Sequence, residues 1–297
     1  MIMLGNTHQD FLQKYAEPDK HFTKEQAPFV HPKTTEDDIL KLMDSNEDAE
    51  MGAILRPNAT PKILERGMKS NDRMARYLSV RHNNAPESVL LKALDDHYPE
   101  VMHSAVDHKN VTDNVLRAGN KSYNAVIRAK VMSHPKAPHD VLESGSSDVD
   151  PGVRSAVASN QHTPSEILNK TIRDPFVEVR IATTRNRKLP PEIQMHAMHD
   201  ANNNVKSMMI RNRNATPEVL KQGMTDESPL IRLLSVQHPN ATPEVLHLGL
   251  NDPASNVRYS AVKHDNATTD IIRKGAEDKD YSVRTAAQYA MQVRFMR

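Results

Sequence analysis

The chain has 297 residues, 37% of them hydrophobic and 4% aromatic, with no Trp and five Phe; so few large side chains suit a thin, repeated core better than one compact globule. Lys and Arg number 39 against 38 Asp and Glu, a formal charge of +1, so nothing global argues for nucleic acid and such a case must rest on a local patch. The absence of cysteine excludes disulfides, thiolate metal sites, Cys-ligated iron–sulfur clusters and Cys nucleophiles together.

Residues 1–57 follow no fixed period. They hold Phe11, Phe22 and Phe29 with Met1, Ile2, Met3 and Leu4, and Ile39-Leu40 reads as a degenerate opening repeat. The segment is expected to cap the open apolar face of the first repeat; the sharper alternative is an arm that docks on another subunit or partner. Met1 to Asp10 lacks a basic region followed by an apolar run, so no signal peptide is expected. No stretch approaches the roughly 20 apolar residues that span a bilayer, and a cytoplasmic location is expected.

From 58 to 279 the chain repeats. A β-branched residue followed by an anchor, usually Leu, recurs every 26 residues in nine units: Ile63-Leu64, Val89-Leu90, Val115-Leu116, Val141-Leu142, Ile167-Leu168, Ile193-Gln194, Val219-Leu220, Val245-Leu246 and Ile271-Ile272. Each unit reads as two helices. Thr or Pro stands four residues before the anchor, most clearly in Thr216-Pro217-Glu218 and Thr242-Pro243-Glu244. Thr can accept from a free N–H of the first turn, Pro suits the first helical position, and Glu opposes the positive dipole end. Three residues after the anchor, six of nine units carry Gly (Gly67, Gly119, Gly145, Gly223, Gly249 and Gly275), which suits a helix end or a close approach of helices. With about two turns available, this first helix is expected to be α or in part 3₁₀. The second helix follows Val-Arg-x-x-(Ala/Ser)-Val-x-His, as in Val257-Arg258 to His264, with apolar residues at helical spacing. One pair cannot bury its own apolar stripe, so units must stack. Residues 280–297, with Arg284, Arg294 and Arg297, are expected to form a capping helix with a polar outer side.

The run His238-Pro239-Asn240-Ala241-Thr242-Pro243-Glu244-Val245-Leu246, followed by Asp252 and Val257-Arg258, resembles the leucine-rich repeat variant family and, more loosely, HEAT repeats. The resemblance covers about residues 58–290. It implies an all-α chain, a right-handed α-solenoid in which α-helices alternate with short α or 3₁₀ helices. Units of 26 residues are slightly long for the variant family and too short for HEAT units, which run near 40. The cysteine-rich iron–sulfur segment of some variant-family members is missing, and the resemblance transfers no catalytic residue.

Stacking converts each repeat position into a column. Twelve residues after the anchor stand Arg76, Arg128, Arg154, Arg180, Lys206, Arg232, Arg258 and Arg284; six after it stand Asp96, Asp148, Asp174, Asp200, Asp226, Asp252 and Asp278. The first column could be a row of phosphate-binding fingers. A base matched by so regular an acid reads better as a ladder tying the loop of one layer to the helix of its neighbour. Eighteen residues after the anchor stand His82, His108, His134, His238 and His264, replaced by Asn160, Asn186 and Asn212 in the middle units. Ligands must converge within about 2 Å of a metal, whereas successive layers are about 10 Å apart, so this column reads as helix-end capping or a tolerated left-handed backbone. His196 and His199 lack a third ligand nearby in sequence. No Gly-x-Ser-x-Gly, Gly-rich phosphate loop or dinucleotide fingerprint is present.

Departures from the repeat carry the remaining information. Arg185-Asn186-Arg187-Lys188 and Arg211-Asn212-Arg213-Asn214 occupy the same position in consecutive units, so Arg185, Arg187, Lys188, Arg211 and Arg213 should share one edge, with Asn203 and Asn204 in the intervening loop. The functions that follow are a non-enzymatic scaffold for a protein partner or, as the alternative, backbone binding to DNA or RNA through this ridge. No cofactor, metal or small-molecule substrate is expected.

Overall fold

The computed structural model describes residues 34–44 and 47–295; Phe11, Phe22, Phe29, the apolar residues at positions 1–4 and the side chains of Arg294 and Arg297 lie outside that description. Helices of seven to nine residues are too short to hold in water alone, so what makes these segments helical is capping plus burial of one stripe. An opening pair, α1 (Glu36–Met43) and α2 (Glu47–Ile54), precedes nine repeats. These are α3 (Pro61–Gly67) with α4 (Arg73–Arg81), α5 (Glu87–Ala93) with α6 (Pro99–Val106), and α7 (Asp113–Gly119) with α8 (Ala125–Ser133). Next come α9 (His139–Gly145) with α10 (Pro151–Ser159), α11 (Ser165–Thr171) with α12 (Val177–Thr184), and α13 (Pro191–Met198) with α14 (Asn203–Ile210). The last are α15 (Pro217–Gly223) with α16 (Pro229–Gln237), α17 (Pro243–Leu250) with α18 (Ser255–Lys263), and α19 (Thr269–Gly275) with α20 (Tyr281–Phe295).

The chain divides into two compact units between Ser122 and Tyr123. Within the first, α2, α4 and α6 pack in succession, as do α1, α3, α5 and α7 beside them. Within the second, α8, α10, α12, α14, α16, α18 and α20 form one continuous layer, and each first helix from α9 to α19 lies between the second helices that flank it. The result in each unit is a two-layer α-solenoid, with no strand among the described residues.

The capping logic of the sequence is realised. Thr60, Thr112, Thr216, Thr242 and Thr268 each accept from the N–H three residues on, at 3.3–3.5 Å. Pro86, Pro138, Pro164 and Pro190 take the same place with no side-chain bond. The first helix is α throughout, so the 3₁₀ option drops out. The apolar pairs are sealed: of the nine anchors the most exposed is Gln194 at 3%, and burying one Leu contributes roughly 1.5–3 kcal/mol.

Gly at the end of the first helix serves close approach and not a left-handed cap, because no described residue has positive φ. A Cβ on Gly223 would lie 2.0 Å from Ser235 Oγ, and one on Gly145 would lie 2.3 Å from Met132 Sδ. Gly223→Ala is therefore expected to cost about 1–3 kcal/mol by overpacking. Adding Ser235→Ala, which removes the obstructing oxygen, should recover part of that loss in urea denaturation. Equal stability of Gly223→Ala and the parent would show that the contact is slack.

Candidate functional site

Three side-chain ladders account for most regular polar residues, and what they leave over defines the site. In the first, a base of one repeat meets the acid twenty residues on. Arg154 donates from Nε to Asp174 Oδ2 at 2.6 Å and from Nη2 to Oδ1 at 3.0 Å, while its Nη1 bonds Asp148 O at 2.7 Å. Asp174 Oδ1 also accepts from Phe176 N at 2.9 Å, shaping the loop. Seven such pairs have closest contacts of 2.6–2.8 Å, with Lys206–Asp226 standing in for one guanidinium. Arg284 turns its Nη1 onto the carbonyls of Asp278 and Lys279. The repeat lacking a base, at Met102, is the one whose partner position holds Ser122 instead of Asp, so base and acid are lost together. These cations are engaged and largely buried; they are scaffold, not fingers for phosphate.

The His/Asn column forms the second ladder. Asn186 donates from Nδ2 to Ala158 O at 3.1 Å and Asn160 O at 2.8 Å, and its Oδ1 accepts from Lys188 N at 2.9 Å. His238 reproduces this with a ring: Nδ1 accepts from Asn240 N at 3.0 Å, so Nε2 carries the proton and donates to Asn212 O at 3.1 Å. His82 and His238 end their helices in extended backbone, which removes the left-handed expectation for this column. Among the described residues no three His, Asp or Glu side chains converge as a metal site.

A third ladder escaped the sequence reading. Asn84, Asn110, Asn214, Asn240 and Asn266, twenty residues after their anchors, reach back to the preceding loop; Asn214 Nδ2 meets Arg187 O at 2.7 Å and Asn240 Nδ2 meets Arg213 O at 3.1 Å. The first of these bonds ties together the two loops that carry the basic residues, and the second ties the later of them to the loop that follows. Gln194, the odd anchor, is the other support: its Nε2 donates to Asn214 O at 3.2 Å and its Oε1 accepts from Thr216 N at 3.1 Å. A polar residue at an anchor position was the signal that could have found it.

Arg185, Arg187, Lys188, Arg211 and Arg213 are all exposed, on two consecutive loops that the Asn bonds hold together. Among the described residues none of the five side chains makes an ion pair, in contrast to the ladder cations. Asn203 and Asn204 do not join them: they open α14, whose eight residues put about 12 Å between them and the loop at its far end. Arg211 and Arg213 line an open cleft of about 620 Å³ between the C-terminal ends of α14 and α16, with Ile210, Leu234, Gln237, His238, Pro239 and Asn240. Arg185, Arg187 and Lys188 lie one repeat earlier on the same loop edge and do not line it.

No protein-family model matches the chain, and a search of curated proteins finds no match. Among solved structures it is similar to one described as a leucine-rich repeat variant with a novel repetitive protein structural motif, at 23% identity and a TM-score of 0.56, over 74% of this chain and 87% of that one. The fold is that of a leucine-rich repeat variant. In the leucine-rich repeat variant fold as this chain builds it, the repeated polar residues hold layers together, and the cations of the loop edge stand outside those ladders.

The ladders also set the acid behaviour. Burial holds His108 and His238 below the usual imidazole range, against the opposing bonds to His82 O and Asn212 O, and burial followed by the charge of Arg173 does the same to His196. The unfolded chain keeps the ordinary value near 6.5, so it binds more protons than the native state just below that pH. Stability should therefore fall as pH drops through about 6.5 and level off once the native histidines protonate. Hydrogen bonds from Arg128 and Arg258 hold Asp148 and Asp278 below the usual carboxylate range, so a second loss should follow below about pH 4. Urea midpoints between pH 3 and 8 would read both steps; a flat profile from pH 5 to 8 would refute the first.

Proposed function

We propose that the chain is a non-enzymatic scaffold and that its loop edge, at Arg185, Arg187, Lys188, Arg211 and Arg213, binds a protein partner. A two-layer repeat fold supports binding in general, since it presents a long surface and buries its regular polar residues in ladders. The observation that carries the reading is that these five cations are exposed and unpaired on braced loops, while the ladder cations face carboxylates. An acidic protein surface is the complement, and charge there governs association more than raw affinity.

Nucleic acid is the second reading, favoured by the same cations. Two features weigh against it: net charge is only +1, and residues 185–188 and 211–214 contain no aromatic ring for bases to stack on. Affinity capture from native lysate, with and without nuclease, should retain one protein after nuclease treatment and lose it with Arg185→Glu plus Arg211→Glu. Recovery that collapses with nuclease, with a steep salt slope, would transfer the edge to nucleic acid. Unchanged capture by the double variant would remove the ridge from either function.

A further inference from the structure

Residues 181–188, 207–214 and 233–240 are the C-terminal halves of α12, α14 and α16 with the loops that follow. Together they carry Arg185, Arg187, Lys188, Arg211 and Arg213 and not one Asp or Glu. An anion approaching the cleft between α14 and α16 therefore meets cations without a competing carboxylate on these three segments.

The cleft is not only cationic. Leu234 is half-buried at its side, with the buried Ile210 beneath and the exposed Pro239 at its rim. At the position of Leu234 the preceding repeat carries Met208 and the following one Ser260, so the fold accepts either an apolar or a polar side chain there. The loop main chain alongside is already engaged: His238 Nε2 bonds Asn212 O at 3.1 Å, and Asn240 Nδ2 bonds Arg213 O and Ala215 O, both at 3.1 Å. With those carbonyls taken, a ligand must be recognised through side chains and not by adding a strand. A volume near 620 Å³ holds one side chain and its flanking backbone.

We propose that this cleft receives a short acidic peptide segment that seats one aliphatic side chain against Leu234 between Arg211 and Arg213, its carboxylates reaching those two bases and the bases of the preceding loop, Arg185, Arg187 and Lys188. The proposal rests on the protein-partner reading of the loop edge. Spacing follows from geometry: loops one layer apart are separated by about 10 Å, and an extended chain advances about 3.3 Å per residue, so acids about three positions from the aliphatic residue meet the next loop. The three segments carry no Phe, Tyr or Trp, and their one imidazole, His238, is buried and bonded through both nitrogens, so a nucleobase finds no exposed aromatic ring to stack on, whereas an aliphatic side chain finds Leu234.

The test is a fluorescence anisotropy titration of the full chain with labelled Glu-Asp-Gly-Leu-Gly-Asp-Glu flanked by Gly-Ser, against the same peptide with Gly in place of Leu. The Leu peptide should bind about tenfold tighter, as expected for burying one such side chain in part. Leu234→Ser, which installs what the next repeat carries, should erase that ratio, and Arg211→Glu with Arg213→Glu should remove binding of both peptides. Equal affinity for the two peptides, lost in the Arg variant, would overturn the cleft anchor and leave the loop-edge reading standing. Failure of both peptides to bind would overturn the proposal outright. Binding of a single-stranded oligonucleotide in their place, steeply salt-dependent, would overturn the protein-partner reading as well.

Discussion

Asn186→Leu is expected to lower stability by about 4 kcal/mol, against about 1–2 kcal/mol for Asn186→His, which gives up one of three bonds. Asn186 is fully buried and makes three main-chain bonds: to Ala158 O, to Asn160 O and from Lys188 N. Leu has a similar branched shape but satisfies none of them, and each buried group left without a partner costs about 1–3 kcal/mol. His keeps two of the three, as His238 does in a later repeat through Asn240 N and Asn212 O. Since repeats can open locally, urea denaturation should be paired with hydrogen exchange over residues 158–188. If Asn186→Leu matches the parent in both, the column is ornamental and the ladder account of His/Asn interchange is wrong.

Asp252→Ala is expected to cost about 3–5 kcal/mol, the range for removing one partner of a buried ion pair. The Asp252 side chain is 2% exposed. It accepts from Arg232 Nε at 2.6 Å and Nη2 at 3.2 Å, and from Ala254 N at 2.9 Å. Truncation strands the Arg232 guanidinium away from water and frees the loop that starts α18. The discriminating comparison is Arg232→Met with Asp252→Leu, which removes both charges together and should cost much less than the single change. A double variant as unstable as Asp252→Ala would mean that the loop turn, and not the charge pair, carries the energy. The same comparison bears on function. If these bases were phosphate fingers, Asp252→Ala would free Arg232 for a polyanion; the ladder account predicts only the loss of stability.

Much of this scaffold is legible from spacing. The Ile63-Leu64 and Val245-Leu246 pairs mark the buried side of each first helix because such helices have one apolar stripe. Thr242-Pro243-Glu244 marks the helix start, since a free N–H, a missing N–H and a dipole each prefer one of those residues. The pairing of Arg with an acid twenty residues on follows from matched columns, and the joint loss at Met102 and Ser122 repeats the point. What spacing misread is equally specific. Asn203 and Asn204 seemed to border the basic loop, yet they begin α14 at its opposite end. The bonds of Asn214 and Asn240 went unread, because a side chain that bonds main chain in the previous layer has no pattern beyond its own recurrence. Gln194 stood among the anchors without a role of its own, and the structure makes it a brace under the loop of Arg213.

The sequence by itself determined the period, the helix pairs, the buried stripes and the residues that join one layer to the next. Those features depend on contacts within a unit or with its identical neighbour, and translation by one repeat preserves them. Only the tertiary structure decided that Arg211 and Arg213 share a cleft with Leu234, while Arg185, Arg187 and Lys188 stand outside it. That grouping draws on side chains from different layers. Their meeting is set by how each pair of helices sits on the last, which no spacing along the chain encodes.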